Sequence, residues 1–283
     1  MFELFIPRTV FVPTLACNLR CKLCAALSPY YAKPYYPDIA CLYKYIDRYF
    51  EVVHRTGRMV LSGGEPLLHK DLHLFVDYLY SFENRIDRLE IITNGTIVPS
   101  HELIESLRPF SSKLYVMVDN YGYDKSINAN SATEVFSSLD HATVTLIDYY
   151  SDKPYYGGWV DYGIYPNTQK KSIEYAKNIF SKCAQTQKMG FCMSYVQGSL
   201  YPCAQLRALV DLGVIPDFES EAVNLFDPAS SDDDIRLRIS DVFQLDVLSA
   251  CAYCNGVCDD SDRFKPAEQL NKNEINWILN KKI

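Results

Sequence analysis

Two rhythms of hydrophobic and polar positions alternate along the first half of the chain. Short β-rich runs occur at Thr9–Leu15, Arg58–Leu61, Arg88–Thr93, Lys113–Val118 and Ala142–Ile147. Between them lie helical patterns at Ile39–Arg55, Leu72–Phe82 and His101–Leu107, with a weaker one near Thr133–Leu139. Strand–helix alternation of this kind predicts βα units around a parallel sheet. A further helix is expected at Thr168–Phe180. The segment Tyr149–Tyr165, rich in Tyr and Gly, breaks the rhythm. It reads as an ordered loop over the open face of the sheet, a candidate for substrate contact or a lid, or else a surface loop with some aromatic packing. After Cys183 the texture changes. Phe191–Val196 and Ser199–Cys203 flank Gln197-Gly198 as in a β-hairpin, and a helix is expected over Ala204–Leu212. The acidic stretch Glu219–Asp234 reads as a solvated loop. Leu245–Cys258 reads as a helix end with a cysteine knuckle, and Ala267–Asn280 as a terminal helix. The expected division is one domain over residues 1–180 and a second over 181–283.

Composition narrows the class. The chain has 283 residues, 48% of them hydrophobic, enough for one large domain or one with a small appendage. A net charge of -7 gives no sign of a nucleic-acid or anionic-membrane partner. No run approaches the length needed to span a bilayer. The N-terminus lacks a basic region and a small-residue cleavage site, so no signal peptide is expected. A cytoplasmic protein is therefore anticipated. In that compartment stable disulfides are not expected, yet the chain has ten cysteines, seven of them in two spaced groups. Clustered cysteines in a reducing compartment bind metal or do chemistry.

The first group, Cys17-Asn-Leu-Arg-Cys21-Lys-Leu-Cys24, directly follows a predicted strand. Three thiolates are one short of a closed four-ligand cage, and a structural zinc site would recruit a fourth Cys or His nearby. None follows until Cys41, which sits in a helical stretch and reads as a small buried residue. An iron–sulfur cluster with three protein ligands leaves one iron open to an exogenous group, and the spacing differs from the four-cysteine ferredoxin runs. Three further elements follow in order. Gly63-Gly64-Glu65-Pro66 ends the second predicted strand, Thr93-Asn94-Gly95 the third and Asp119 the fourth. Singly, the glycine pairs could be ordinary turns and Asp119 a cap. Together, each at a strand end, they mark the edge where β/α barrels bind ligands.

This set resembles the signature of the radical S-adenosylmethionine (radical SAM) superfamily. The resemblance implies an α/β fold, a partial (β/α)6 TIM-like barrel. It also implies a [4Fe–4S] cluster on Cys17, Cys21 and Cys24, whose open iron is chelated by SAM. An electron from that cluster, supplied by a donor such as flavodoxin or ferredoxin, cleaves SAM to a 5'-deoxyadenosyl radical that takes a hydrogen atom from the substrate. By the same resemblance Gly63, Gly64, Glu65 and Pro66 bind the SAM amino group, Thr93 and Asn94 shape its pocket, and Asp119 meets the ribose hydroxyls. Leu23 stands where the family often has an aromatic residue near adenine, and keeps only the apolar contact.

The second group comprises Cys183, Cys203 after Gly198-Ser-Leu-Tyr-Pro, and Cys251-Ala-Tyr-Cys254. Its spacing resembles the C-terminal extensions called SPASM or, in the shorter form, Twitch, which hold auxiliary [4Fe–4S] clusters. The tail has six cysteines, fewer than a two-cluster SPASM domain uses, so one cluster on Cys183, Cys203, Cys251 and Cys254 is expected. A four-cysteine zinc site could use the same residues. Cys192 could replace Cys183, and Cys258 could be a ligand, a hydrogen-atom donor or a bystander.

The family is chemically broad. The Twitch-type tail resembles enzymes that dehydrogenate or epimerise a small sugar, aminosugar or cyclitol. In a dehydrogenation the auxiliary cluster would take the electron of the substrate radical. In an epimerisation a catalytic thiol, Cys258 or Cys192, would return a hydrogen atom. The alternative is a peptide-modifying maturase that forms thioether or carbon–carbon crosslinks. Such enzymes commonly carry a recognition domain ahead of the barrel, for which a first strand starting by about residue 9 leaves no room.

Overall fold

The computed structural model describes residues 3–150, 159–163, 169–216 and 221–280. They fall into two compact units: Glu3–Leu19 with Pro34–Tyr155, and Arg20–Lys33 with Tyr156–Ile283.

In the first unit, strand and helix alternate as β1 (Phe5–Phe11), α1 (Ile39–Val52), β2 (Arg55–Leu61), α2 (Leu72–Leu79), β3 (Ile86–Thr93), α3 (His101–Leu107), β4 (Leu114–Asn120), α4 (Ala129–Phe136) and β5 (Thr143–Asp148). The strands lie in the order β5-β4-β3-β2-β1. Every pairing is parallel. The sheet is not closed, which is the partial-barrel form of the α/β class. Side-chain alternation fixes which face the helices cover. Thr9 shares a 2.7 Å hydrogen bond with the Tyr49 hydroxyl of α1, and Phe11 stacks on Phe75 of α2. The register carries that face to Leu61, Ile91 and Val116, all fully buried. Asp119 therefore falls on the opposite, inner face. Helix α1 answers with Leu42, Ile46, Tyr49 and Phe50, an i, i+4, i+7, i+8 stripe of buried residues. Burial of each such side chain is worth roughly 1.5–3 kcal/mol.

Strand β1 ends four residues before the sequence expectation of Leu15. Val12 and Leu15 are buried, so hydrophobicity alone runs past the strand end. The chain in fact leaves the ladder to run beside the loop after β2, where Gly64 N–H donates to Thr14 O (2.9 Å) and Glu65 N–H to Ala16 O (2.8 Å).

The second unit contains α5 (Ile173–Lys182), α6 (Ala184–Gln187), β6 (Met193–Val196), β7 (Ser199–Tyr201), α7 (Ala204–Asp211), β8 (Val223–Asn224), α8 (Asp232–Val242) and α9 (Lys272–Asn280). The hairpin β6–β7 turns at Gln197 and Gly198, both at positive φ, the geometry of a two-residue type I′ turn. The acidic stretch departs from its expected loop character. Val223–Asn224 pairs with β7. Asp232, Asp233 and Asp234 form the first turn of α8, where a Ser231–Asp234 capping box closes the helix start and carboxylates oppose the helix dipole. Most of the Tyr- and Gly-rich segment expected as a loop or lid lies outside the described residues; Tyr149 stacks on Tyr121. Among the described residues no helix is long and apolar enough to cross a membrane.

Candidate functional site

The loop after β2 is built against the chain that leads to Cys17. A Cβ on Gly63 would meet Val12 Cγ1 at 2.6 Å and Thr14 O at 2.7 Å, and one on Gly64 would fall on the Ala16 carbonyl. Glycine is needed here for close approach of two backbones. Glu65, fully buried, follows. Its Oε1 accepts from Leu67 N–H (3.0 Å) and Thr93 Oγ1 (2.8 Å), and its Oε2 from Asn94 N–H (2.7 Å). This carboxylate therefore caps the short turn opened by Pro66 and ties it to the end of β3. Asn94 extends the network, donating from Nδ2 to Cys17 Sγ (3.6 Å) and to Asn18 Oδ1 (3.0 Å).

Asp119 is buried beside this network. Its Oδ2 accepts from the Tyr121 hydroxyl at 2.9 Å, while Oδ1 is buried without a hydrogen-bond partner. Such an orphaned acceptor suits a ligand hydroxyl. Burial pushes the Glu65 carboxyl up to about 7 against the pull of its three donors. Burial, with the Glu65 charge adding to it, raises Asp119 to about 7 as well.

A pH dependence follows. Between pH 4.5 and about 7 the folded protein holds a proton on Glu65 that the unfolded chain has released. Stability of the ligand-free protein therefore falls as pH rises through this window. The thermal midpoint of Glu65→Gln is expected to change less across the window than that of the native chain. Equal slopes in the two proteins would show that Glu65 ionises freely.

Cys17 belongs to the first unit, and Cys21, Leu23 and Cys24 to the second. Cys21 is buried and its Sγ accepts from Gln269 Nε2 at 3.3 Å. The backbone around it pairs with the C-terminal segment, through Lys22 N–H to Glu268 O (2.8 Å) and Leu270 N–H to Arg20 O (2.8 Å). Leu23 is half-buried. No local pattern marks Gln269, because its contact closes a separation of 248 residues.

In the second unit, Cys183, Cys203, Cys251 and Cys254 line one small cavity of about 20 Å³, together with Tyr162, Ile179, Leu248 and Gly256. All four thiols are free and buried. Each sits at a bend the local sequence dictates. Cys183 closes α5. Cys203 is the N-cap of α7, its Sγ accepting from Leu206 N–H at 3.3 Å. Cys251 lies in the 3-10 turn Ser249–Tyr253. Cys254 follows it, its Sγ accepting from Gly256 N–H at 3.2 Å. Gly256, at positive φ, is wedged so that a Cβ would come within 2.8 Å of Ile179 and 3.3 Å of Cys258 Sγ. Asn255 fastens this knuckle: its N–H donates to Tyr162 O (2.8 Å), its Nδ2 to Asp161 O (2.9 Å), and its Oδ1 accepts from Lys171 Nζ (2.6 Å).

Burial pushes the Cys203 and Cys254 thiols well up and Cys251 to about 12, and neighbouring thiols add to the rise in each. Ionising them together requires a positive group among them. Among the described residues no three Cys, His, Asp or Glu side chains converge closely enough to hold one metal ion. A tetrahedral zinc, with sulfur at about 2.3 Å, would need that convergence. Four free, buried thiols around one cavity are the donor set that a [4Fe–4S] cluster takes.

Neither Cys192 nor Cys258 is among the residues lining this cavity. Cys192 is half-buried just before β6. Cys258 faces another cavity, with Asp161, Lys182, Asn255 and Asp260 in its walls. Its thiol is raised by burial, and by the nearby Cys183. Cys258→Ser is therefore expected to leave the iron content of the reconstituted protein unchanged; loss of about four irons per chain would make it a ligand.

Residues 11–141 match the family model of the radical SAM superfamily. Among curated relatives, GTP 3',8-cyclase of Nautilia profundicola is 33% identical over 84 residues, 29% of this chain and 26% of that protein. The 7-carboxy-7-deazaguanine synthase of Rhodopirellula baltica is 35% identical over 100 residues, 34% of this chain and 35% of its own length. The chain thus spans about a quarter to a third of these relatives. A solved structure of BtrN in complex with AdoMet and 2-DOIA superposes with a TM-score of 0.56 at 19% identity, covering 95% of this chain and 100% of that one. The fold is shared.

Proposed function

We infer the function of this chain from its radical SAM domain, residues 11–141: it is a radical SAM enzyme, and we propose that it oxidises a small carbohydrate-like substrate, a sugar, aminosugar or cyclitol. Enzymes of this superfamily use a [4Fe–4S] cluster and SAM. In the proposal Cys17, Cys21 and Cys24 hold that cluster, and Gly63, Gly64, Glu65, Pro66, Thr93, Asn94, Asp119 and Leu23 form the SAM pocket. Cys183, Cys203, Cys251 and Cys254 hold a second cluster in a Twitch-like domain. When bound, the two clusters supply the electron that cleaves SAM and the acceptor for an electron leaving the substrate; a flavodoxin- or ferredoxin-type donor serves the first.

The carrying observation is that four buried thiols line one cavity. Four protein ligands saturate a four-iron cluster, leaving no iron to bind substrate, and electron transfer remains as its task. The chain's own groups do three things. Asn94 donates to Cys17 Sγ and Gln269 to Cys21 Sγ, bonds that favour the thiolate forms. Glu65 ties the turn after β2 to the end of β3. Asp119 Oδ1 offers a free acceptor to a hydroxyl.

Oxidation and epimerisation part at the fate of the substrate radical. In oxidation the hydroxyl proton and one electron leave, giving a carbonyl. In epimerisation a thiol such as Cys258 returns a hydrogen atom. Turnover in deuterated water separates them. The expected product is about two mass units lighter than the substrate. Deuterium at the reacting carbon, absent with Cys258→Ala or Cys192→Ala, would reject oxidation.

A further inference from the structure

Helix α7 carries one charged side chain in its buried face. Arg207 is 1% exposed, and no motif calls for it. Its Nη2 donates to Ala26 O (3.0 Å), and its Nη1 to the Tyr31 hydroxyl (3.0 Å) and Asp211 Oδ2 (3.2 Å). The Tyr31 hydroxyl in turn donates to Asp211 Oδ2 (3.0 Å). Two residues nearer the start of the helix, Gln205, also buried, donates from Nε2 to Ala25 O (3.0 Å). Ala25 and Ala26 are the two residues directly after Cys24. The same helix begins at Cys203, whose thiol caps it. A single rigid element thus carries an auxiliary-site thiol at its N-terminus and grips, with its next turn, the backbone leaving the last cysteine of the other set.

We propose that Arg207 is a positioning residue that holds the Cys24 loop in the geometry its cluster needs, by fastening it to the helix that Cys203 starts. This inference rests on the two-cluster reading above. The guanidinium suits the task because its planar fork reaches a carbonyl, a hydroxyl and a carboxylate at once, whereas a lysine ammonium has no such fork. Pairing with the partly exposed Asp211 at 3.2 Å offsets part of the desolvation of the buried guanidinium. Gln205 adds a second, neutral anchor one residue nearer Cys24.

The test uses the anaerobically reconstituted full chain. In Arg207→Met the auxiliary cluster is expected to stay, while iron of the first cluster is removed by a chelator about tenfold faster or more, the scale of a lost supporting contact to a metal ligand. The change that SAM produces in the electron paramagnetic resonance of the first cluster should be lost or broadened, with the auxiliary signal unchanged. Arg207→Lys, which keeps one donor, should recover part of both readouts. Native-like chelation and a native-like SAM response in Arg207→Met would overturn the proposal. So would equal loss of both clusters, the mark of a role in α7 alone. Should Arg207→Met fail to fold, Tyr31→Phe carries the same readouts, and native behaviour in it overturns the proposal. If instead the unaltered chain binds no iron, the cluster reading itself fails, before any variant is compared.

Discussion

Replacing Cys17, Cys21 and Cys24 together by alanine is expected to abolish SAM cleavage and to halve the iron of the reconstituted protein, from about eight to about four atoms per chain. The expectation follows from two separate thiol sets. Cys183, Cys203, Cys251 and Cys254 line a cavity to which none of the three contributes a wall. Leu206 and Gly256 donate to Cys203 and Cys254, Asn255 fastens the knuckle beside Cys254, and the triple substitution touches none of these bonds. The remaining iron should be chelator-resistant, as befits a buried site. An unchanged iron content would mean that the first set holds no cluster. Zinc in place of iron in both proteins would remove the two-cluster model.

Cys254→Ala is expected to lower substrate turnover by about a hundredfold or more while SAM cleavage continues. Cys254 is buried, and its sulfur faces the cavity and accepts from Gly256. Truncation removes a ligand without crowding anything. The grip of α7 on the Cys24 loop should survive, because that helix is started by Cys203 and fastened by Gln205 and Arg207. Methionine and 5'-deoxyadenosine should therefore still form in the presence of reductant, uncoupled from product. Full turnover in this variant would show that the auxiliary site plays no part in oxidation. Loss of SAM cleavage as well would show that the two sites cannot be separated functionally.

Much of the first unit is legible locally. The five strands and four helices between Phe5 and Asp148 are written in alternation of period two and near 3.6, which needs no knowledge of distant chain. Gly63-Gly64, Thr93-Asn94 and Asp119 could be placed at strand ends for the same reason, since each closes a run that can be read within ten residues or so. The hairpin turn at Gln197-Gly198 was legible from its own two residues, which must both take positive φ. Boundaries were less so. The end of β1 is set by hydrogen bonds to Gly64 and Glu65 that draw residues 14–16 away, and apolar side chains on both sides of that point conceal it.

What composition and spacing determined by themselves was therefore the chemistry available: two sets of cysteines, a glycine pair before a carboxylate, and a parallel α/β frame to carry them. Tertiary structure alone decided which groups serve each other. It made Glu65 a cap on its own turn and a tie to β3, roles that a motif reading gives wholly to a ligand. Folding also took Arg20–Lys33 out of the sheet's unit and into the later one, set Gln269 on Cys21, and placed Arg207 on the carbonyl of Ala26. The physical reason is range. Periodicity records which face of an element is covered, a property of neighbours in sequence. The partner of a buried polar group is chosen by where chain closure brings distant donors, and polar satisfaction leaves no periodic trace in the sequence.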